Sequence, residues 1–233
     1  MNRLSPPLPL TILLLLCGGC GTGAYEERLE TRVKELRTSS VFRDLGPPVD
    51  LGDTPIRARV PMVFKDPLAE GAAVDDKTAD PRRTKPPVIN LTGYRRTYEA
   101  TIDDSSGGKL PYYCFLAAVA EDAAKDPTRV WQSQLASQFP DARAGWQAVD
   151  VPTPEGNSVG WQRLQIAIPQ EFYYVDSKGQ ASFVKMPGIL VMYYRPLAGF
   201  HVVVAWRLPA GTEDNVKLSQ WEKLVAGTVT AKD

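Results

Sequence analysis

Histidine is nearly absent from this chain of 233 residues, where His201 stands alone beside three cysteines at positions 17, 20 and 114. A structural zinc site wants four nitrogen or sulfur ligands at fixed spacing, so no zinc finger can be assembled from this set. Any histidine-based nucleophile triad has only His201 as its base, and the spacing singles out none of Ser105, Ser106 or Ser182 as its partner. A charge excess is missing too, because 27 Lys and Arg balance 27 Asp and Glu. Such a chain has no global field with which to gather nucleic acid. Phosphate and metal loops are also lacking. The segment DDSSGGKL (103–110) has no leading glycine at phosphate-loop spacing, and leucine rather than Ser or Thr follows the lysine. Asp103 and Asp104 are without the alternating ligands of a calcium loop. The segment reads as a hairpin loop, and neither a cofactor nor a metal is expected.

Hydrophobic residues make up 43% of the chain and charged residues 23%, ordinary values for a globular protein. The amino-terminal end is different. MNRLSPPLP (1–9) carries a single basic side chain, Arg3, and LTILLLL (10–16) is an apolar run ending in CGGC. About 20 apolar residues are needed to span a bilayer as a helix, so this run is too short. A basic start, a short apolar stretch and small residues before a cut are the marks of a secretory signal. Gly18 and Gly19 followed by Cys20 resemble the lipobox of bacterial lipoproteins. The resemblance implies a signal peptide over 1–19, acylation of Cys20 with palmitate-type chains, and a mature protein beginning at Cys20. Cys17 departs from the family pattern, which usually has leucine there, so the cleavage register stays open. An ordinary signal with incidental cysteines and a CxxC redox pair are the alternatives, though redox pairs belong at a helix start in a folded domain. Gly21 lacks the aspartate that, in that family, retains many members in the inner membrane. Three acyl chains hold firmly, since each buried methylene contributes about 0.8 kcal/mol.

Residues 20–40 read as the anchor and a short helical stalk, with Tyr25, Leu29, Val33 and Leu36 on one stripe. Residues 41–87 hold eight prolines and read as a proline-rich linker. Within it, 56–64 alternates enough for one edge strand. Residues 88–233 form the globular domain. Strands are expected over 97–102, 110–120, 145–150, 160–168, 171–176, 181–186, 188–195 and 200–207, with Gly179 in a hairpin turn at DSKG. One helix should start at Asp126-Pro127 and bury Val130, Trp131, Leu135 and Phe139. A second is expected over 213–229, with Leu218, Trp221, Leu224, Val225 and Val229 on one side. Strands 188–195 and 200–207, apolar at successive positions, should be central. The fold class is therefore α+β, an antiparallel sheet sandwiched between helices. This order of elements resembles the PsbP-like fold.

Three tyrosine doublets stand out: Tyr112-Tyr113, Tyr173-Tyr174 and Tyr193-Tyr194. On a strand each doublet sends one ring to either face. Joined by Trp146, Trp161 and Trp206, they are either core or candidate ligand-binding aromatics lining a groove. Cys114, inside an apolar strand, reads as inert core. The expected function is that of a lipid-anchored envelope protein in the cell or outer membrane, facing periplasm or exterior. Its role would be non-catalytic, either binding or structural, with an envelope protein or a glycan as possible partner. A hydrolase acting on a glycan or ester is the alternative.

Overall fold

Runs of β-branched and aromatic residues with period two build most of the molecule. The computed structural model describes residues 22–64, 94–123, 125–138 and 145–232. The leader, Cys17, Cys20, the polar stretch 65–93 and Phe139 lie outside the described residues. The elements are α1 (Thr22–Val41), β1 (Val49–Asp50), β2 (Ile56–Ala58), β3 (Tyr94–Asp103), β4 (Lys109–Ala120) and α2 (Pro127–Gln138). After them come β5 (Gln147–Pro152), β6 (Ser158–Val175), β7 (Ala181–Leu197), β8 (Phe200–Pro209), α3 (Leu218–Gly227) and β9 (Thr230–Ala231). Six strands form an antiparallel sheet in the order β3-β4-β8-β7-β6-β5, and β1-β2-β9 form a small second sheet. The strands expected to be central, β7 and β8, are interior, and their apolar runs are buried on both faces.

One face of the large sheet carries Tyr98, Tyr112, Cys114, Leu116, Val204 and Trp206. It is covered by Leu224 and Val225 of α3 and by Phe42, Leu45, Leu51, Ile56 and Phe64 of the amino-terminal segment. The Phe64 ring meets Tyr112 at 4.8 Å and Trp206 at 5.7 Å. Residues 42–64, which their prolines mark as linker, are thus part of the core. The prolines here punctuate short strands, while Ile56, Ala58 and Val60 supply a buried alternating face. The opposite face packs Phe115, Leu164, Leu190 and Met192 against Trp131 and Leu135 of α2. Val130, expected in that interface, is 48% exposed. The Asp126 carboxylate accepts the Arg129 amide at 3.2 Å and so caps α2 as its sequence suggests.

The four strands expected over 160–195 are two long ones. Pro169 and Pro187 face each other across the β6–β7 pair, so they interrupt the ladder at one register position rather than two. Beyond them the hairpin leaves β8 behind and swings across, bringing Val175 opposite Lys109 at the start of β4. Phe172 fills the inside of this curl and is 1% exposed. A Cβ at Gly188 would lie 3.0 Å from the Phe172 ring and 3.1 Å from the Ile168 carbonyl oxygen, which is why glycine stands there. The Tyr174 hydroxyl reaches the Ser106 hydroxyl at 2.8 Å and latches the curl to the β3–β4 loop. In the hairpin turn itself the Asp176 carboxylate accepts the amides of Lys178 and Gln180, and Gly179 has φ 80°.

The last helix begins later than its sequence suggests. Lys217 sits at φ 52° without a side-chain cap, and turns precede it. Of its expected apolar side, Leu218, Leu224, Val225 and Val229 are buried and Trp221 is half-buried. Glu222 is buried with them, and its carboxylate accepts a hydrogen bond from the Arg163 guanidinium of β6 at 3.0 Å.

Candidate functional site

The free end of the sheet, opposite the curl, holds an open groove of about 250 Å³ lined by β5, β6 and β7. Register decides which side chains line it. Asp150 lies opposite Gly160, Ala148 opposite Gln162, and Gln162 opposite Tyr194. Alternation puts these side chains and Pro196 on the α2 face. Val149, Trp161 and Arg195 project the other way, and Val149 and Trp161 join the opposite core. The floor of the groove is therefore main chain. Gly160 adds no side chain to that floor, and a Cβ there would meet no described atom within 4 Å.

Tyr194 forms the inner wall. Its half-buried ring packs against Trp131 at 5.6 Å and Trp146 at 6.2 Å, and its hydroxyl lies 2.9 Å from Nδ1 of His201. Burial raises the Tyr194 pKa, and the negative charges of Glu121 and Asp126 add to the effect. Asp150 and Gln162 supply a carboxylate and an amide. The one basic residue in the lining is Arg195, whose side chain alternation turns away. Arg195 belongs to the other face, where its guanidinium stacks 5.2 Å from the Trp161 ring and desolvation lowers its pKa.

The tyrosine doublets divide between the faces as strand alternation requires, Tyr112 and Tyr193 to one core, Tyr113 and Tyr194 to the other. Tyr112, Tyr113, Tyr193 and Trp161 are all buried, at 5%, 1%, 0% and 2% exposure, and fill space between sheet and helices. Tyr173 lies on β6, with its side chain outside the described residues. Tyr174 is at the curled end, far from the groove. Of the seven candidate aromatics, Trp161 and Tyr194 are among the groove's lining residues, and alternation puts the Tyr194 ring on its side.

No protein-family model and no curated protein sequence matches this chain. Several solved structures are similar in shape, two of them as follows. The Ran-binding protein Mog1p of Saccharomyces cerevisiae has TM-score 0.38 and 13% identity, covering 80% of this chain and 95% of its own. Cyanobacterial PsbP (CyanoP) from Synechocystis sp. PCC 6803 has TM-score 0.37 and 10% identity, covering 79% of this chain and 91% of its own. Likenesses of this strength carry neither ligand nor partner across.

The geometry also addresses the hydrolytic reading. His201 faces Val119 near the end of β4, while Ser105 and Ser106 precede Lys109 at its start. That places them about 33 Å apart along the strand at 3.3 Å per residue. Ser182 lies on the curl, opposite Tyr174. None of the three serines reaches the imidazole. Cys114 is a buried free thiol whose pKa burial pushes up, so it stays protonated and unreactive. Among the described residues no group of three or more His, Cys, Asp or Glu is placed to hold a metal ion. The Asp104 carboxylate accepts the Ser106 hydroxyl and the amides of Ser106 and Gly108. The hydroxyl bond is the main cause of its lowered pKa, and the loop is a hairpin turn.

Asp150, Gly160 and Gln162 were not singled out by sequence. The available signal was the glycine itself, isolated inside an alternating strand, a position that costs about 0.5–1 kcal/mol relative to alanine without a reason to be there.

Proposed function

We propose that this chain is a cell-envelope lipoprotein, tethered through acylated Cys20, that binds a ligand without transforming it. The observation that carries the binding role is the open groove over Gly160, set in a molecule whose other aromatic clusters are filled cores. Asp150 is the one carboxylate lining that groove, and glycoside hydrolysis ordinarily requires two flanking the scissile bond. The tether reading rests on the short apolar run and the Gly18-Gly19-Cys20 sequence. It agrees with α1, which begins at Thr22 and exposes Tyr25, Leu29 and Leu36. Twenty helical residues at 1.5 Å each make a stalk about 30 Å long. Among the described residues no helix is long and apolar enough to cross a membrane.

Mass spectrometry of the mature amino terminus tests the tether. The expected species begins at an acylated Cys20, and Cys20→Ala releases the protein from membranes. Recovery of an unmodified terminus at another residue, or unchanged membrane association of the variant, overturns it. Affinity capture on native membranes tests the binding role, with Gly160→Leu as the plugged control.

A further inference from the structure

We infer that the groove takes a single ring of a neutral or amino saccharide, an inference that rests on the binding role proposed above and names its ligand class. The first argument is shape. With no side chain at Gly160, the space between Asp150 on β5 and Pro196 on β7 is open among the described residues, and two strand spacings separate those walls by about 9.5 Å. A volume of about 250 Å³ falls just below the usual range for drug-sized ligands and suits one pyranose with its hydroxyls. The second argument is the chemistry of the walls. The Asp150 carboxylate accepts two hydroxyl hydrogens at once, and the Gln162 amide both donates and accepts, as neighbouring sugar hydroxyls require. Tyr194 and Pro196 offer apolar surface to the C–H face of the ring, and the Tyr194 ring is fixed by Trp131, Trp146 and His201. A pre-fixed wall spares the ordering entropy of binding.

Charge then selects among saccharides. Among the described lining residues Asp150 is the one carboxylate and Arg195 the one cation. Alternation turns the Arg195 side chain to the opposite face, where it stacks on Trp161, so Asp150 is the charge an anionic sugar meets first. An amino sugar meets attraction. The groove is open at the β5 edge of the sheet, so a chain extending from the bound ring can leave into solvent.

Titration of the full-length protein with N,N′,N″-triacetylchitotriose, glucosamine and galacturonate, read by tryptophan fluorescence and calorimetry, tests this. The neutral and amino sugars should saturate, and galacturonate should bind at least tenfold more weakly. Asp150→Asn should narrow that gap, and Gly160→Leu should weaken both favoured sugars at least tenfold while leaving the thermal midpoint in place. Saturation by none of the three, preference for galacturonate, or sugar binding unchanged in Gly160→Leu overturns the inference. If sugars fail but Gly160→Leu abolishes capture of an envelope ligand, the saccharide inference falls and the binding role stands. If neither responds to the plug, both fall.

Discussion

The two ends of the large sheet solve the problem of an ending β-structure in opposite ways, and a glycine marks each solution. At one end the β6–β7 hairpin curls across β8 onto β4, and Gly188 gives the Phe172 ring room. Arg207 closes the inside: its guanidinium lies 5.1 Å from the Phe172 ring and 5.7 Å from Tyr113, and it donates to the Glu171 carbonyl at 2.6 Å. At the other end no described atom lies within 4 Å of where a Gly160 Cβ would stand, and the space its missing side chain leaves stays open among the described residues. The same residue type is demanded by crowding in one place and leaves a vacancy in the other. The first end is built for stability, and the proposed binding role falls to the second.

The largest effect should separate the two directly. Gly188→Leu drives a side chain into Phe172 and the Ile168 carbonyl and should cost about 3 kcal/mol, the upper part of the overpacking range. Gly160→Leu should change stability by less than about 0.5 kcal/mol, as surface substitutions do. Urea denaturation of both variants checks the pair, and equal losses would erase the distinction. Next comes the underside of the open end, where α3 holds the sheet through Glu222. Glu222→Ala leaves the Arg163 guanidinium without its carboxylate and should cost about 2 kcal/mol, less than a fully buried pair because the Arg163 side chain keeps 20% exposure.

Alkali probes the covered face. Burial pushes the Tyr98 and Tyr112 hydroxyls up to about 12 from an ordinary value of 10, and it raises Tyr193 and Cys114 as well. Folding therefore favours the neutral forms. Their contribution is fully present below about pH 8, where the thiol and the phenols are protonated in both states, and the thiol's share starts to fall first, near its ordinary value of 9. The phenols' share is lost as pH climbs through 10 toward 12. The urea midpoint should fall over that window while tyrosinate absorbance lags that of free tyrosine. The smallest effect is a gain at the open end. Ala198 turns β7 into β8 at φ 50°, a left-handed conformation that costs a residue with a Cβ about 1 kcal/mol. Ala198→Gly should recover about that much, read as a higher thermal midpoint.

Much of the large sheet was legible because its residues obey one local rule at a time. The central strands β7 and β8 announce themselves by unbroken apolar runs, and the split of Tyr112 from Tyr113 follows from period two alone. The curl was not legible. Pro169 and Pro187 each read as a strand end, and only their pairing across the hairpin lets both strands continue. Residues 42–64 were misread for a related reason, since proline content describes the unpaired chain and their partners are α3, β9 and the sheet. The buried Glu222 was hidden because its partner Arg163 lies 59 positions away. The groove was hardest of all. It is defined by what Gly160 lacks, and by which neighbours Asp150 and Gln162 acquire once three strands are in register.

The amino-terminal segment bears on how the molecule answers force. One guanidinium, that of Arg59, donates to the carbonyls of Phe42, Leu45 and Gly46 where the chain leaves α1, and the Arg59 amide donates to the Thr228 hydroxyl beyond α3. Phe42 and Leu45 are sunk in the core on either side of this clasp. A pull along α1 thus meets no slack joint. It runs through one residue, whose guanidinium holds the exit from α1 and whose amide holds Thr228 beyond the last helix, making Arg59 the rivet between α1 and the body.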